Sequence, residues 1–155
     1  MRGLLTSCLV LTVAVLVTGC GGGDAPHDFT LQSLVGETVS LADHLKKSVV
    51  LLDFSATWCP PCSLAVPVLK NLYDTHEDLQ IIAVYLGEPE ATVKAYVQKH
   101  GIEYTVLLDP EGAVGNRYGV KGIPTFLVID LEGKVRYRGH DPNEAGRVVG
   151  QLMGE

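Results

Sequence analysis

The run Val49-Val50-Leu51-Leu52-Asp53-Phe54 ends shortly before Trp58-Cys59-Pro60-Pro61-Cys62, and this junction constrains the fold more than any other feature of the chain. An unbroken β-rich run reads as a strand covered on both faces of a sheet. From Pro60 the apolar period changes to a helical one. Leu64, Val68 and Leu72 lie beside Ala65, Leu69 and Tyr73, which predicts one broad apolar helical face turned to a core. The chain therefore passes from a buried strand into a helix at the cysteine pair.

The same alternation extends on both sides. Phe29-Thr30-Leu31 and Thr38-Val39-Ser40-Leu41, separated by a turn at Gly36, predict a small N-terminal hairpin. Leu79 to Leu86 is a second buried strand. Pro89 to His100 is helical, with a Val93, Tyr96 and Val97 stripe read as core and Gly101 as its stop. Tyr104 to Leu108 is a further strand, and Asp109-Pro110-Glu111-Gly112 opens a short helix or turn. Thr125 to Ile129 and the alternating Lys134 to Arg138 form a hairpin through Leu131-Glu132-Gly133. Lys134, Arg136 and Arg138 share one face of that last strand and read as solvated protection of a sheet edge. Asp141-Pro142-Asn143-Glu144 starts a capped helix whose stripe is Ala145, Val148, Val149 and Leu152. The expected architecture is α/β, a three-layer α/β/α sandwich around a mixed sheet.

The N-terminus has a different character. Arg2 is the only charge before Asp24, and an apolar stretch runs from Leu4 to Val17. A charged start, a short apolar run and small residues after it form the pattern of an export signal. The run is shorter than the ~20 residues a membrane-spanning helix needs. Val17-Thr18-Gly19-Cys20 resembles the bacterial lipobox, which implies cleavage before Cys20 and its acylation. The expected division is a signal peptide at 1–19, a lipidated cysteine and flexible tether at 20–26, and one domain at 27–155. An ordinary cleaved signal and a retained anchor helix are the alternatives. The mean hydropathy of +0.21, high for a soluble domain, owes part of its value to this segment.

Four cysteines are too few and too unevenly placed for a disulfide-stapled scaffold. Cys8 leaves with the signal and Cys20 goes to lipid, so Cys59 and Cys62 remain as a redox pair. A thiolate at a helix N-terminus is stabilised by unpaired N–H groups and the helix dipole, and its pKa falls. Cys59, at the exposed end, is the expected nucleophile toward a substrate disulfide. Cys62, deeper in the helix, would resolve the mixed disulfide. No second cysteine pair exists, and His27, His44, His76, His100 and His140 lack ligand spacing, so no resident metal is expected. A formal charge of −6 without a Lys/Arg cluster argues against nucleic acid as a partner.

Asp53-Phe54-Ser55-Ala56-Thr57-Trp58-Cys59-Pro60-Pro61-Cys62 is similar to the active-site segment of the thioredoxin superfamily. Pro67 matches the proline that kinks the active-site helix, and Gly122-Ile123-Pro124-Thr125-Phe126 resembles the cis-proline loop. The N-terminal hairpin and the helix and strand near 89–108 resemble the TlpA/ResA-like branch, whose members are membrane-tethered extracytoplasmic thiol–disulfide reductases. The resemblance implies a thioredoxin fold with an N-terminal β-hairpin and a central helix–strand insertion. It implies that Asp53 accepts the Cys62 proton and that Trp58, Pro60, Pro61, Ile123 and Pro124 line the substrate side. It also implies disulfides of exported proteins as substrates, a membrane dithiol as electron donor, no bound cofactor and a monomer tethered to a bacterial membrane.

Two departures narrow the expectation. Members of the branch commonly carry glutamate where this chain has Ala65, and many carry asparagine where it has Asp53. Both weaken a specific link to cytochrome c maturation, which stays an expectation beside a broader reductase role. Pro60 and Pro61 lack N–H groups, which leaves the Cys62 amide as the nearest backbone donor to the Cys59 sulfur. Fewer donors to a thiolate favour a reductase over an oxidase. A thiol peroxidase is an alternative, although the proline-and-threonine arrangement around a peroxidatic cysteine is missing before Cys59. A copper carrier using Cys59 and Cys62 is a second, because Cu(I) accepts two thiolates.

Overall fold

The computed structural model describes residues 25–154, so the expected signal peptide, Cys20 and most of the tether lie outside the described residues. Seven strands form one sheet: β1 (Thr30–Ser33), β2 (Thr38–Ser40), β3 (Val49–Ser55), β4 (Leu79–Leu86), β5 (Thr105–Asp109), β6 (Thr125–Ile129) and β7 (Val135–Gly139). Their order is β2-β1-β5-β4-β3-β6-β7. β3 and β4 pair in parallel, as do β4 and β5, whereas β6 runs antiparallel to β3 and β7 antiparallel to β6. The helices are α1 (Pro60–Thr75), α2 (Glu90–His100), α3 (Ala113–Arg117) and α4 (Pro142–Met153).

β3 lies inside the sheet between β4 and β6, and all seven of its residues are buried. Alternation along the strand sends Val49 and Leu51 to one face, where they meet Ala65, Val66, Leu69 and Leu72 of α1, Val93 of α2 and Val149 of α4. Val50, Leu52 and Phe54 face the other side, against Phe29, Leu41, Val114 and Tyr118. This is the expected three-layer thioredoxin arrangement. The insertion is integral to the sheet, because β5 joins the N-terminal hairpin to β4 through Gln32 opposite Leu108 and Leu86 opposite Asp109.

Several boundaries differ from the sequence expectation. Leu41 leaves the hairpin and starts a 3₁₀ turn, Leu41–Asp43, because its side chain is fully buried below the sheet. Pro89 is the N-cap of α2 rather than its first residue. Gly101 does stop that helix in the left-handed conformation, with its N–H on the Gln98 carbonyl.

Leu64 is the clearest correction. It is 78 % exposed, because the buried stripe of α1 runs through Cys62, Ala65, Val66, Leu69 and Leu72 instead. The basic residues near β7 are also more than a solvated edge. Lys134 precedes the strand and donates its N–H to Asp130, whose carboxylate also takes Arg136, while Arg138 donates to the carbonyls of Tyr118 and Gly119. These bonds tie the edge strand to the turn before it and to the C-terminal end of α3.

Candidate active site

Cys59 is the N-cap of α1, and Pro60 opens the helix at the position where a missing N–H costs nothing. The two cysteines form a disulfide across this first turn, with Cα atoms 5.2 Å apart. The Cys62 N–H donates to Cys59 Sγ at 3.2 Å, the donor left once the prolines are discounted. On the opposite side the Ile123 carbonyl oxygen stands 3.7 Å from Cys59 Sγ, and the Ile123–Pro124 bond is cis. Ala56, Cys59, Cys62 and Ile123 make one small apolar cluster.

Burial of the two sulfurs does not follow the expected gradient. Cys59 and Cys62 are each 3 % exposed, so the outer cysteine is as covered as the inner one. Ile123, rather than Trp58, provides the apolar cover. Trp58 is 70 % exposed at the rim beside Pro60 and Pro61, which are exposed as well.

Asp53 lies on β3 opposite Ala83 of β4 and Phe126 of β6, with its side chain on the α1 face by alternation. Its Oδ1 is buried and has no hydrogen-bond partner among the described residues. Burial pushes the carboxyl up from 3.8 to about 7, since a desolvated carboxylate without a partner is disfavoured. A carboxyl at that value exchanges a proton near neutrality. It lies on the strand that leads to the cysteine pair.

Glu88 and His140 also belong to this region, and the sequence reasoning passed over both. Glu88, 7 % exposed in the β4–α2 turn, accepts the Thr57 N–H at 2.8 Å and the Thr57 hydroxyl. It thereby holds the segment that carries Trp58 and Cys59. A signal was available: β3 and β4 are adjacent parallel strands, and sites in such sheets form beyond their C-terminal ends. His140 reaches the Pro124 carbonyl through Nδ1 at 2.6 Å, and Nδ1 must be the donor because a carbonyl only accepts. The Thr125 hydroxyl donates to Gly122 O at 2.6 Å, so the loop is braced at both ends. Nothing in the spacing of His140 pointed to this role; the pairing of β6 with β7 brings it there.

The Glu88 brace gives a direct expectation. Glu88→Ala strands a half-buried Thr57 N–H and hydroxyl, a loss of about 1 kcal/mol. A lowered urea midpoint at unchanged slope is the expected result, and an unchanged midpoint would show that water replaces the carboxylate without penalty.

Among the described residues no group of three or more His, Cys, Asp or Glu side chains could hold a metal ion. The arrangement suits two-electron sulfur exchange: a disulfide at a helix start, one amide donor among the described residues and an apolar cover.

Residues 22–138 match the AhpC/TSA family. The chain is 37 % identical over 121 residues to the thiol-disulfide oxidoreductase ResA of Geobacillus thermodenitrificans, covering 77 % of this chain and 69 % of that protein. It is 36 % identical over 116 residues to ResA of Bacillus subtilis, covering 74 % and 64 %. Among solved structures it is similar to a thiol:disulfide interchange protein of the thioredoxin family from Chlorobium tepidum. There the TM-score is 0.69 at 27 % identity, over 86 % of this chain and 99 % of the other.

Proposed function

The chain belongs to the AhpC/TSA family within the thioredoxin superfamily and is a thiol–disulfide oxidoreductase, and from that premise we propose that it reduces disulfides of exported proteins outside the cytoplasm. The observation that carries this reading is the Cys59–Cys62 disulfide at the start of α1, covered by Ile123.

In the reduced enzyme the Cys59 thiolate attacks one sulfur of a substrate disulfide, forming a mixed disulfide and releasing the other substrate sulfur as a thiolate. Cys62 then gives its proton to Asp53, and its thiolate attacks Cys59 Sγ. The substrate leaves fully reduced, and the enzyme keeps the Cys59–Cys62 disulfide. A dithiol donor returns the two electrons by the reverse exchange. No bound cofactor enters, because the sulfur pair itself carries both electrons.

Two features support reduction over oxidation. Among the described residues the Cys59 sulfur has a single backbone donor, the Cys62 amide, and a carbonyl oxygen on its other side. A thiolate there gains little stabilisation, whereas strong oxidants derive their power from a stabilised reduced form. Ala65 supports a broad substrate range. It is 1 % exposed against Leu51 and Leu69, so the place where the branch commonly carries glutamate is apolar core here.

Localisation rests on the N-terminal pattern, with Cys20 as the acylated residue and residues 20–26 as tether to a membrane that also holds the donor. No helix among the described residues is long and apolar enough to cross a membrane.

Insulin-disulfide reduction by the full chain, paired with a redox titration, tests the proposal. The expected potential lies toward the thioredoxin end of the range, about −270 mV, and a value near about −120 mV would make the protein an oxidase. Recovery of the expressed full chain in the soluble fraction alone would remove the lipid anchor from this reading.

A further inference from the structure

The two sides of Cys59 differ sharply in chemistry. On the α1 side the surface is apolar: Trp58 is 70 % exposed, Leu64 is 78 % exposed, and Pro60 and Pro61 are exposed between them. No charged residue occurs from Phe54 to Leu69. On the other side, beyond Ile123 and Pro124, a cleft of about 310 Å³ opens against Lys121, Gly122, Thr125, Arg138 and His140. Two cations and an imidazole meet there with no acidic side chain in the lining, in a chain of net charge −6.

The polar groups of the cleft retain donor capacity. Lys121 is exposed and has no hydrogen-bond or ion-pair partner among the described residues. Arg138 uses Nη2 on the Tyr118 and Gly119 carbonyls, and its remaining guanidinium N–H groups are uncommitted among the described residues. His140 commits Nδ1 to the Pro124 carbonyl, which leaves Nε2 as its other polar atom. The nearest acid along the chain, Asp141, is occupied as the N-cap of α4, where it accepts the Asn143 N–H at 2.9 Å. Uncommitted donors around a small cavity whose described lining has no acidic side chain suit an anionic group.

We propose that this cleft takes a carboxylate side chain of the polypeptide substrate, carried one to three residues from the cysteine that reacts with Cys59. The inference rests on the exchange reaction above. Ile123 O lies 3.7 Å from Cys59 Sγ and Gly122 lines the cleft, so a chain crossing the loop enters it within a few residues at about 3.3 Å each. Charge acts here at short range. The overall negative field repels an acidic partner at a distance, but that repulsion is screened beyond about 8–10 Å in ordinary salt. The apolar flank and the basic cleft together define an orientation: apolar residues of the substrate lie toward Trp58 and Leu64, its acid toward Lys121.

The test uses the reduced full chain and three peptide disulfides identical except for Glu, Gln or Lys two residues from the reacting cysteine. The expected order of kcat/KM is Glu above Gln above Lys, with about a tenfold span at low salt that contracts as salt rises. Lys121→Glu is expected to reverse that order. Equal rates on all three peptides, or an order that Lys121→Glu leaves in place, would overturn the carboxylate cleft while leaving the reductase reading intact. Failure to reduce any of the three would instead remove the exchange reading and this inference with it.

Discussion

Replacing Cys62 with serine is expected to stop turnover and leave the protein joined to its substrates. Cys59 can still attack a disulfide, since its sulfur is retained at the N-cap of α1. The serine hydroxyl cannot displace the mixed disulfide, so the second half of the exchange is lost. Insulin reduction should fall by at least about 10³-fold, the scale on which loss of a reacting group is felt. Non-reducing gels of cells carrying the variant should show adducts that collapse on adding a thiol. Cys59→Ser is expected to abolish turnover equally but to give no adducts. That asymmetry assigns the two roles, and adducts through Cys62 in the Cys59 variant would reverse them. The assignment needs this test because both sulfurs are equally buried in the disulfide form.

Asp53→Asn is expected to change both the rate and the pH dependence of stability. A carboxyl at about 7 in the folded protein, against 3.8 ordinarily, binds its proton more tightly in the native state. Its contribution is therefore complete below pH 3.8 and is lost as the pH rises through about 7. The full loss is about 4 kcal/mol, from 1.36 kcal/mol per pKa unit. The asparagine variant lacks this slope, so the stability difference between variant and wild type should shift in the variant's favour from pH 4 to pH 7 and then level off. Urea midpoints across that range read it directly. In single turnovers the resolution step should slow by at least about 10²-fold, the low end for a positioned proton acceptor. The kinetic limb near pH 7 should disappear as well. A variant that keeps both limb and rate would exclude Asp53 as the acceptor of the Cys62 proton.

The buried strand β3 and the helix after it were legible because their signals are local. Val49 to Phe54 is apolar at every position but Asp53, and Pro60 marks a helix start wherever it follows a capping residue. The cysteine pair needed no tertiary information either, since two intervening residues on a helix place both sulfurs on one turn. Leu64 was misread for an equally physical reason. Periodicity places it on the edge of an apolar arc, but the sheet covers only the arc through Ala65, Val66 and Leu69.

The division between sequence and tertiary structure falls along sequence separation. Short-range patterns alone specified the alternation of strands and helices, the dithiol at a helix N-terminus, and a carboxylate embedded in the strand that leads to it. What lies around the sulfurs depended on contacts between distant segments. Thr57 meets Glu88 across 31 positions, Cys59 meets Ile123 across 64, and Pro124 meets His140 across 16. Those partners are set by the pairing of β3 with β4 and β6 and of β6 with β7, which no local propensity encodes. The chain thus carried its reactive atoms in plain view, while sheet order decided how they are covered, braced and presented to a substrate.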